Sequence, residues 1–471
     1  MSLTLNQDTI KIKIKNGKEI SAVLKQTLHS SLAAAGIELE ANCGGQGTCG
    51  KCKVKVLRGQ VTDSQGQPAA PGEDGFYLAC QVYPLEDLVL DRIVSAGVSS
   101  KGAVGGKFLK NSELDSPVRK VCFKPVYPSL QDIYSMQEMV KRAGLGYPVN
   151  IQALRQLGQL TLSNPEELTA IVVQEEITAF ETGDTTGTLL GVAFDIGSTT
   201  VAGMLVDVKR GKVRAAAAQT NPQTVFGADV ISRIKAASTE EGLEKLSSII
   251  RECLDSLIAE LCSQAGAARD DIYLVTIAGN STMEHLLMGI PPTYLTKAPY
   301  VPVFNYIPAF EPSNLQLKVS SGARVILLPN IASFVGADTV AAITAVDQDT
   351  SDKMTLLLDL GTNGELAIGN LNKIVVSSTA AGPAFEGGEL SCGMRAGEGA
   401  IDDVIITDDV RITTINQGKP RGVCGSGVIK AIAQMVKAGV IDPSGRFVKG
   451  DGISALPPQV GARIQEKGRE M

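Results

Sequence analysis

The sequence predicts a multidomain α/β chain: a small β-rich N-terminal unit, a linker, a small α+β middle unit, and a duplicated unit of strands and helices whose second half is incomplete. Three observations carry this. A Gly-rich cysteine loop, Ala41–Lys53 (ANCGGQGTCGKCK), sits among alternating strands near the N-terminus. Ser95–Pro117 is rich in Gly, Ser and Lys and has no hydrophobic period, as a flexible linker would. From Leu189 a strand–turn–strand–turn–strand device appears and returns at Met354, with Asp195 matched by Asp359 and Gly197 by Gly361 at one constant offset. Internal repeats are the most fold-informative signal a single sequence offers.

The N-terminal unit spans residues 1–92. Thr9–Lys15 (TIKIKIK) alternates as a strand does, Asn16-Gly17 is a hairpin turn, and Ser30–Ala35 reads as a short helix. Lys53–Leu57 is a further alternating strand, and Leu85–Ile93 closes the unit. Its chemistry lies in Cys43, Cys49 and Cys52, at C-x5-C-x2-C spacing, with Cys80 further on. A 2Fe–2S cluster is held by four thiolates, typically three from one loop and one from afar. Gly44, Gly45, Gly47 and Gly50 let the backbone wrap a compact anion and aim N–H groups at the sulfides. A structural zinc site would use two C-x2-4-C knuckles, and only Cys49 and Cys52 form one. A disulfide pair would suit a secreted protein, and no signal peptide is visible. The four cysteines therefore read as ligands of a 2Fe–2S cluster. The unit resembles the vertebrate- and bacterial-type 2Fe–2S ferredoxins with x5 spacing, which implies a β-grasp fold.

Composition bounds the rest. A chain of 471 residues holds roughly three domains. The net charge of −6, without a basic run, argues against a nucleic-acid partner. No apolar run is long enough to span a membrane, and nine cysteines without a secretion signal suggest the cytoplasm. Cys122, Cys253, Cys262, Cys392 and Cys424 read as buried or half-buried thiols. With only His29 and His285, most zinc-hydrolase schemes are excluded, and no P-loop motif is present.

After the linker (93–117), residues 118–188 form the middle unit: a strand at Arg119–Phe123, helices at Ser129–Ala143 and Asn150–Leu157, and a β-rich segment at Thr169–Glu181. No chemistry stands out in it, so it reads as a spacer or dimerisation domain. Residues 189–471 hold the duplication. In the first half three strands precede a helical region, Glu240–Gln264, whose apolar residues recur at helical spacing. A strand (Ile272–Ala278), a helix (Ser281–Met288), a strand (Ala323–Leu328) and a helix (Phe334–Val346) complete a βββαβαβα order.

Two D-x-G-[ST] hairpins in tandem halves of this kind resemble the acetate- and sugar-kinase, Hsp70 and actin superfamily, an RNase H-like duplicated ATPase fold. The resemblance implies that ATP with Mg2+ lies between the turns. Gly197, Ser198, Thr199 and Thr200 would meet phosphate oxygens from one side, and Gly361, Thr362, Asn363 and Gly364 from the other. Asp195 and Asp359 would hold Mg2+ through water or orient the attacking water. The second half reaches a helix at Gly425–Ala438 and then runs out, so the later βαβα elements and the adenosine-binding loop are expected to be missing, with weak, base-insensitive nucleotide binding as the consequence.

Domain order over the whole chain resembles the ATP-dependent reductive activators of corrinoid proteins. That resemblance implies a corrinoid protein of a methyltransferase system as partner, reduced from cobalt(II) to cobalt(I), and an electron donor that is a reductase or a ferredoxin. The corrinoid belongs to the partner, since the D-x-H-x-x-G signature is absent and both histidines read as ordinary helix residues. The run Ala380–Glu398 is either a loop closing on nucleotide or the surface meeting the corrinoid, with Glu389, Ser391 or Cys392 near cobalt. Asn330 and Asp338 either cap a helix or face the cleft. Two other classes stay open: a small-molecule kinase with a fused ferredoxin, and a non-catalytic electron carrier with a docking scaffold.

Overall fold

The computed structural model describes residues 9–91 apart from 16–18, 25, 36, 38, 40–46, 48–51 and 73, and residues 116–448 apart from 228, 362, 381–389, 391, 395, 408 and 447. The Asn16-Gly17 turn and most of the linker fall outside these.

In the N-terminal unit the chain order is β1 (Thr9–Ile14), β2 (Glu19–Val23), α1 (Leu28–Ala34), β3 (Lys53–Val54), β4 (Val56–Arg58), β5 (Val61–Thr62), β6 (Tyr77–Leu78), β7 (Tyr83–Pro84) and β8 (Leu88–Leu90). The main sheet runs β2-β1-β8-β4, with β1 antiparallel to β2 and parallel to β8. Alternation in β1 turns Ile10, Ile12 and Ile14 inward, where they meet Leu28, Leu32, Leu88 and Leu90. The strand expected over Lys53–Leu57 is split, because Val54 pairs with β6 while Val56 pairs with β8. The helix starts two residues before the expected Ser30.

The middle unit consists of β9 (Val118–Phe123), α2 (Met136–Arg142), α3 (Ile151–Leu160), β10 (Leu168–Val173) and β11 (Glu176–Thr182), in an antiparallel sheet β11-β10-β9. All six residues of the central strand are buried, so both faces of this sheet are covered. One face meets Met139, Val140 and Leu157 of the two helices. The other meets Tyr273 and Leu274 of the following domain. Helix α2 is shorter than the expected Ser129–Ala143: Ser135 accepts the Glu138 N–H as an N-cap, which starts the helix late.

The first half of the duplicated domain contains β12 (Leu190–Ile196), β13 (Thr200–Asp207), β14 (Lys212–Thr220), α4 (Val230–Ala236), α5 (Glu240–Ala265), β15 (Ile272–Gly279), α6 (Ser281–Met288), β16 (Arg324–Leu327) and α7 (Ala337–Ala345). Its sheet has the order β14-β13-β12-β15-β16; the first three strands form an antiparallel meander, and β12, β15 and β16 are parallel. The 26-residue α5 lies between a Thr239 cap and left-handed Gly266. It buries Leu246, Ile250, Leu254, Leu257 and Leu261 against the core formed with Phe194, Ile196, Val201 and Leu205. The middle unit is fastened here at several points, two of them on β16 and the residues before it. A Cβ on Gly322 would stand 2.4 Å from that of Ala179, and Arg324 pairs with Glu176 at 3.0 Å.

The second half opens with the antiparallel sheet β17 (Thr355–Leu360), β18 (Asn363–Asn370) and β19 (Lys373–Ala380). The register puts Leu356, Ile368 and Val375 in one row, and Leu358 and Leu360 on the same face; all five are exposed. The opposite face carries Asp359, Glu365 and Ser378 in one row, toward the first half. Then follow β20 (Ala400–Ile406), β21 (Val410–Thr414), β22 (Gly422–Val423) and α8 (Gly425–Lys437). The hairpin β20–β21 has no counterpart among the elements expected from sequence.

Candidate functional site

Two sites form in separate domains. In the first, Cys52 leads into β3 and Cys80 follows β6, and the pairing of these two strands brings the cysteines together. Both are buried, with sulfurs 3.3 Å apart. That is too long for a disulfide, whose S–S distance is about 2.05 Å. It approaches the roughly 3.8 Å between two thiolates on one tetrahedral ion with metal–sulfur bonds near 2.3 Å. The donor pair therefore fits an iron–sulfur centre. The Ala79 N–H donates to the Cys52 carbonyl, while the first N–H groups of α1, on Leu28 and His29, donate to the carbonyls of Val82 and Ala79. These bonds fix the Cys80 turn. Gly47 has φ +78°, a left-handed position where a side chain would be strained, and a Cβ there would press to 2.9 Å on the Gln81 carboxamide. Cys43 and Cys49 lie outside the described residues.

The second site lies at the carboxyl ends of β12, β15 and β16, where open α/β sheets bind ligands. Three loops converge there. The turn Gly197–Thr199 is tight: a Cβ on Gly197 would sit 2.6 Å from the Thr200 carbonyl. Its own carbonyls are drawn inward, that of Gly197 by the Asn221 Nδ2 at 2.8 Å, that of Thr199 by the Asn221 N–H at 2.8 Å, and that of Ser198 by buried Arg233. Because a peptide unit is planar, with N–H opposite C=O, the N–H groups of Ser198 and Thr199 are turned outward. The Ser198 hydroxyl accepts from Asn280 at 3.0 Å, and Asn280 also caps α6 by accepting the Met283 N–H. Gly336, ahead of α7, lies so close that a Cβ would fall 2.5 Å from the Asn280 Cα.

Carboxylates line this cleft. Solvent reaches Asp195, yet protein surrounds it on most sides, as at the floor of an open cleft. This partial desolvation, then the charges of Asp338 and Asp359, push its pKa up to about 6. Asp338 is raised by burial and by Asp359. Glu365, whose Oε1 accepts from the Ser378 hydroxyl, is pushed up to about 7 by burial and then by Asp338 and Asp359. The repeat-related aspartates thus face one another through Asp338. Among the described residues no three metal-ligating side chains stand close enough to grip an ion directly. The arrangement suits a cation held through water and phosphate oxygens, as Mg2+ usually is.

The second turn is looser than the first. The Gly361 N–H donates to the Asn363 carbonyl at 3.0 Å, and a Cβ on Gly361 would meet only an ordinary contact at 3.5 Å. Gly364 is buried, and Thr362 lies outside the described residues. Asp338 does not cap α7, since Gly336 holds that position; it faces the cleft. Asn330 does neither of the things expected of it. It is buried beneath the cleft, accepts from the Ser281 hydroxyl and donates to Glu284, whose burial raises its pKa to about 9. His285 is fully buried, with Nδ1 on the Ser281 carbonyl and Nε2 accepting the Val303 N–H, so both ring nitrogens are occupied within the fold. Cys392 is exposed rather than buried, and Glu389 and Ser391 lie outside the described residues.

A ferredoxin-type domain joined to an actin-like cleft floored by carboxylates defines a class of protein that carries a 2Fe–2S cluster and binds ATP. Three family models match, described as a 2Fe-2S iron-sulfur cluster binding domain (residues 12–85), the RACo middle region (190–351) and the C-terminal domain of RACo, the ASKHA domain (353–463). The chain belongs to the RACo family of corrinoid activation enzymes. It is 32% identical over 454 residues to the corrinoid activation enzyme RamQ of Eubacterium limosum, covering 93% of this chain and 72% of that one. It is 33% identical over 171 residues to the [Co(II) methylated amine-specific corrinoid protein] reductase of Methanosarcina barkeri, covering 30% and 32%. A solved structure of a reductive activator for a corrinoid, iron-sulfur protein shares the fold with a TM-score of 0.66 at 32% identity, covering 93% of this chain and 74% of that one.

Proposed function

We propose that this chain restores a corrinoid protein of a methyltransferase system from cobalt(II) to cobalt(I), with ATP hydrolysis. The observation that carries the reading is the union, on one chain, of a buried thiol pair suited to a cluster and a carboxylate-floored phosphate cleft. Both lie within the stretch that RamQ matches. Residues 1–92 form the electron-carrying domain, 93–117 the linker, 118–188 the middle domain and 189–471 the ATPase domain. Cys43, Cys49, Cys52 and Cys80 would hold the 2Fe–2S cluster, which when bound supplies a one-electron carrier. A reductase or ferredoxin supplies the electron, and cobalt on the partner receives it.

In the ATPase domain the outward N–H groups of Ser198 and Thr199, with Thr200, would take phosphate oxygens from one side. Gly361, Thr362, Asn363 and Gly364 would do so from the other. Asp195 and Asp359 would orient the hydrated Mg2+ and the attacking water, and Asp338 and Glu365 add negative charge that the cation neutralises. Cobalt(I) lies below what a ferredoxin-type centre readily supplies, and each ~59 mV of deficit costs a tenfold unfavourable ratio in a one-electron step. Nucleotide-dependent binding and release of the partner can offset that ratio. A cytoplasmic location and a homodimer, with the middle domain as a spacer or the dimerisation domain, complete the proposal. No described helix is long and apolar enough to cross a membrane.

The test uses the reduced holoprotein, Mg-ATP and a corrinoid protein in the cobalt(II) state, followed by the cobalt(I) absorption band. The band is expected only with ATP present. Its appearance at the same rate without nucleotide would reduce the ATPase fold to a scaffold, and phosphorylation of an added small alcohol or acid would favour a kinase.

A further inference from the structure

The segment that carries Cys80 also carries a polar side chain outside the set of four cysteines. Gln81 directs its carboxamide back over its neighbour: Nε2 lies 3.7 Å from the Cys80 sulfur and 3.4 Å from the Cys80 carbonyl oxygen. The Gln81 N–H donates to the Leu78 carbonyl at 2.8 Å, which fixes the turn from which the side chain springs. Across from it lies Gly47 of the cysteine loop, at φ +78°, where a Cβ would stand 2.9–3.0 Å from Cδ, Cγ and Nε2 of Gln81. The missing side chain at residue 47 is therefore the space that the carboxamide occupies. Cys80 is almost fully buried, whereas Gln81 is exposed.

We propose that Gln81 is a positioning residue for the redox centre: it donates an N–H to the Cys80 thiolate and raises the reduction potential of the cluster that this thiolate holds. The inference rests on the 2Fe–2S reading of the cysteine loop and deepens it. One-electron reduction adds a negative charge that spreads onto the ligand sulfurs. A donor dipole with its positive end on sulfur stabilises the reduced form more than the oxidised one, and hydrogen bonds to the sulfurs are among the features that set such potentials. Sulfur is a weak acceptor, so the effect of one bond is modest. Its direction favours loading the cluster from the electron donor, at the cost of driving force toward the acceptor, which is the shortfall that ATP is read as offsetting.

The experiment compares the full-length holoprotein with Gln81→Met, which keeps an unbranched side chain of similar reach and removes the donor. Iron and sulfide analysis, the visible spectrum and an anaerobic potentiometric titration are read on both. Q81M is expected to keep two irons, two sulfides and the parent spectrum. At the parent's midpoint its reduced-to-oxidised ratio is expected to fall about three- to tenfold, a shift of about 30–60 mV to lower potential at 59 mV per decade. Gly47→Ala, which crowds the carboxamide off its place, is expected to shift the potential the same way. Equal potentials in parent and Q81M, or a Q81M chain that loses its cluster, would overturn the tuning role while leaving the cluster reading intact. A parent chain without iron and sulfide would overturn that reading as well.

Discussion

Asp195 at the cleft floor is partly desolvated and lies beside Asp338 and Asp359, and this placement has a cost that can be measured. Its pKa stands at about 6 in the fold against 3.8 for an ordinary aspartate. The folded chain therefore binds a proton more tightly than the unfolded chain does. The stability tied to that proton is fully present below pH ~4 and lost as pH rises through about 6. Without metal or nucleotide, Asp195→Asn should be slightly more stable than the parent above pH ~6, by no more than about 1 kcal/mol, and the difference should vanish near pH 4. Denaturant titrations at the two pH values check this. The same variant should lose ATP hydrolysis by about two orders of magnitude or more, the trade of stability for activity often found at functional sites. Unchanged turnover would take Asp195 out of the phosphate chemistry. A second expectation concerns the cation. With Asp195 near 6 and Glu365 near 7, Mg-ATP has to displace protons from the cleft. Its affinity should rise from pH 6 to about 7.5 and then level. Calorimetry in buffers of different ionisation enthalpy would report the released protons, and a flat profile would place the phosphates elsewhere.

At the scale of elements, the site depends on loops that touch. Gly336 lies where any side chain would strike the backbone of Asn280 and Ser281. Gly336→Ala should therefore cost about 1–3 kcal/mol and shift Asp338 at the start of α7, weakening nucleotide binding while leaving the cluster spectrum alone; a melt and a binding isotherm suffice to test it. The long periodic α5 and the hairpin device around Asp195 could be read from local pattern. Asn280 also carried a signal, as an N-cap residue immediately before α6. Asn221 and Arg233 carried none. They brace the Gly197–Thr199 turn from 24 and 35 residues away, and nothing in a local window announces which carbonyl a distant side chain will hold. Glu365 became visible only through register, since it sits opposite Asp359 on β18. The apolar spacing across residues 129–134 mimics a helix and so extends the expected α2 too far, while the cap that decides its start is a single serine.

Over the whole molecule, the middle unit and the first ATPase half are joined by a shared core. Val118, Ile171, Val173 and Ala179 pack against Tyr273 and Leu274. Lys120, with its side chain only 3% exposed, pairs with Glu181 at 2.8 Å and lies over the Tyr273 ring, while the Tyr273 hydroxyl donates to the other oxygen of Glu181. Removing one partner of a buried ion pair costs about 3–5 kcal/mol. Lys120→Ala should thus lower the melting of both units together, as one calorimetric transition, whereas the visible absorption of the cluster domain should decay at its own temperature. Two separate transitions for the middle unit and the first half would mean that the joint is weak. The five exposed side chains Leu356, Leu358, Leu360, Ile368 and Val375 on one face of β17–β19 bear on how the protein behaves as a solute. They form a wetted hydrocarbon raft, so this chain should salt out early in ammonium sulfate and bind an apolar dye while fully native. Dye fluorescence here would report a surface, and should not be mistaken for partial unfolding.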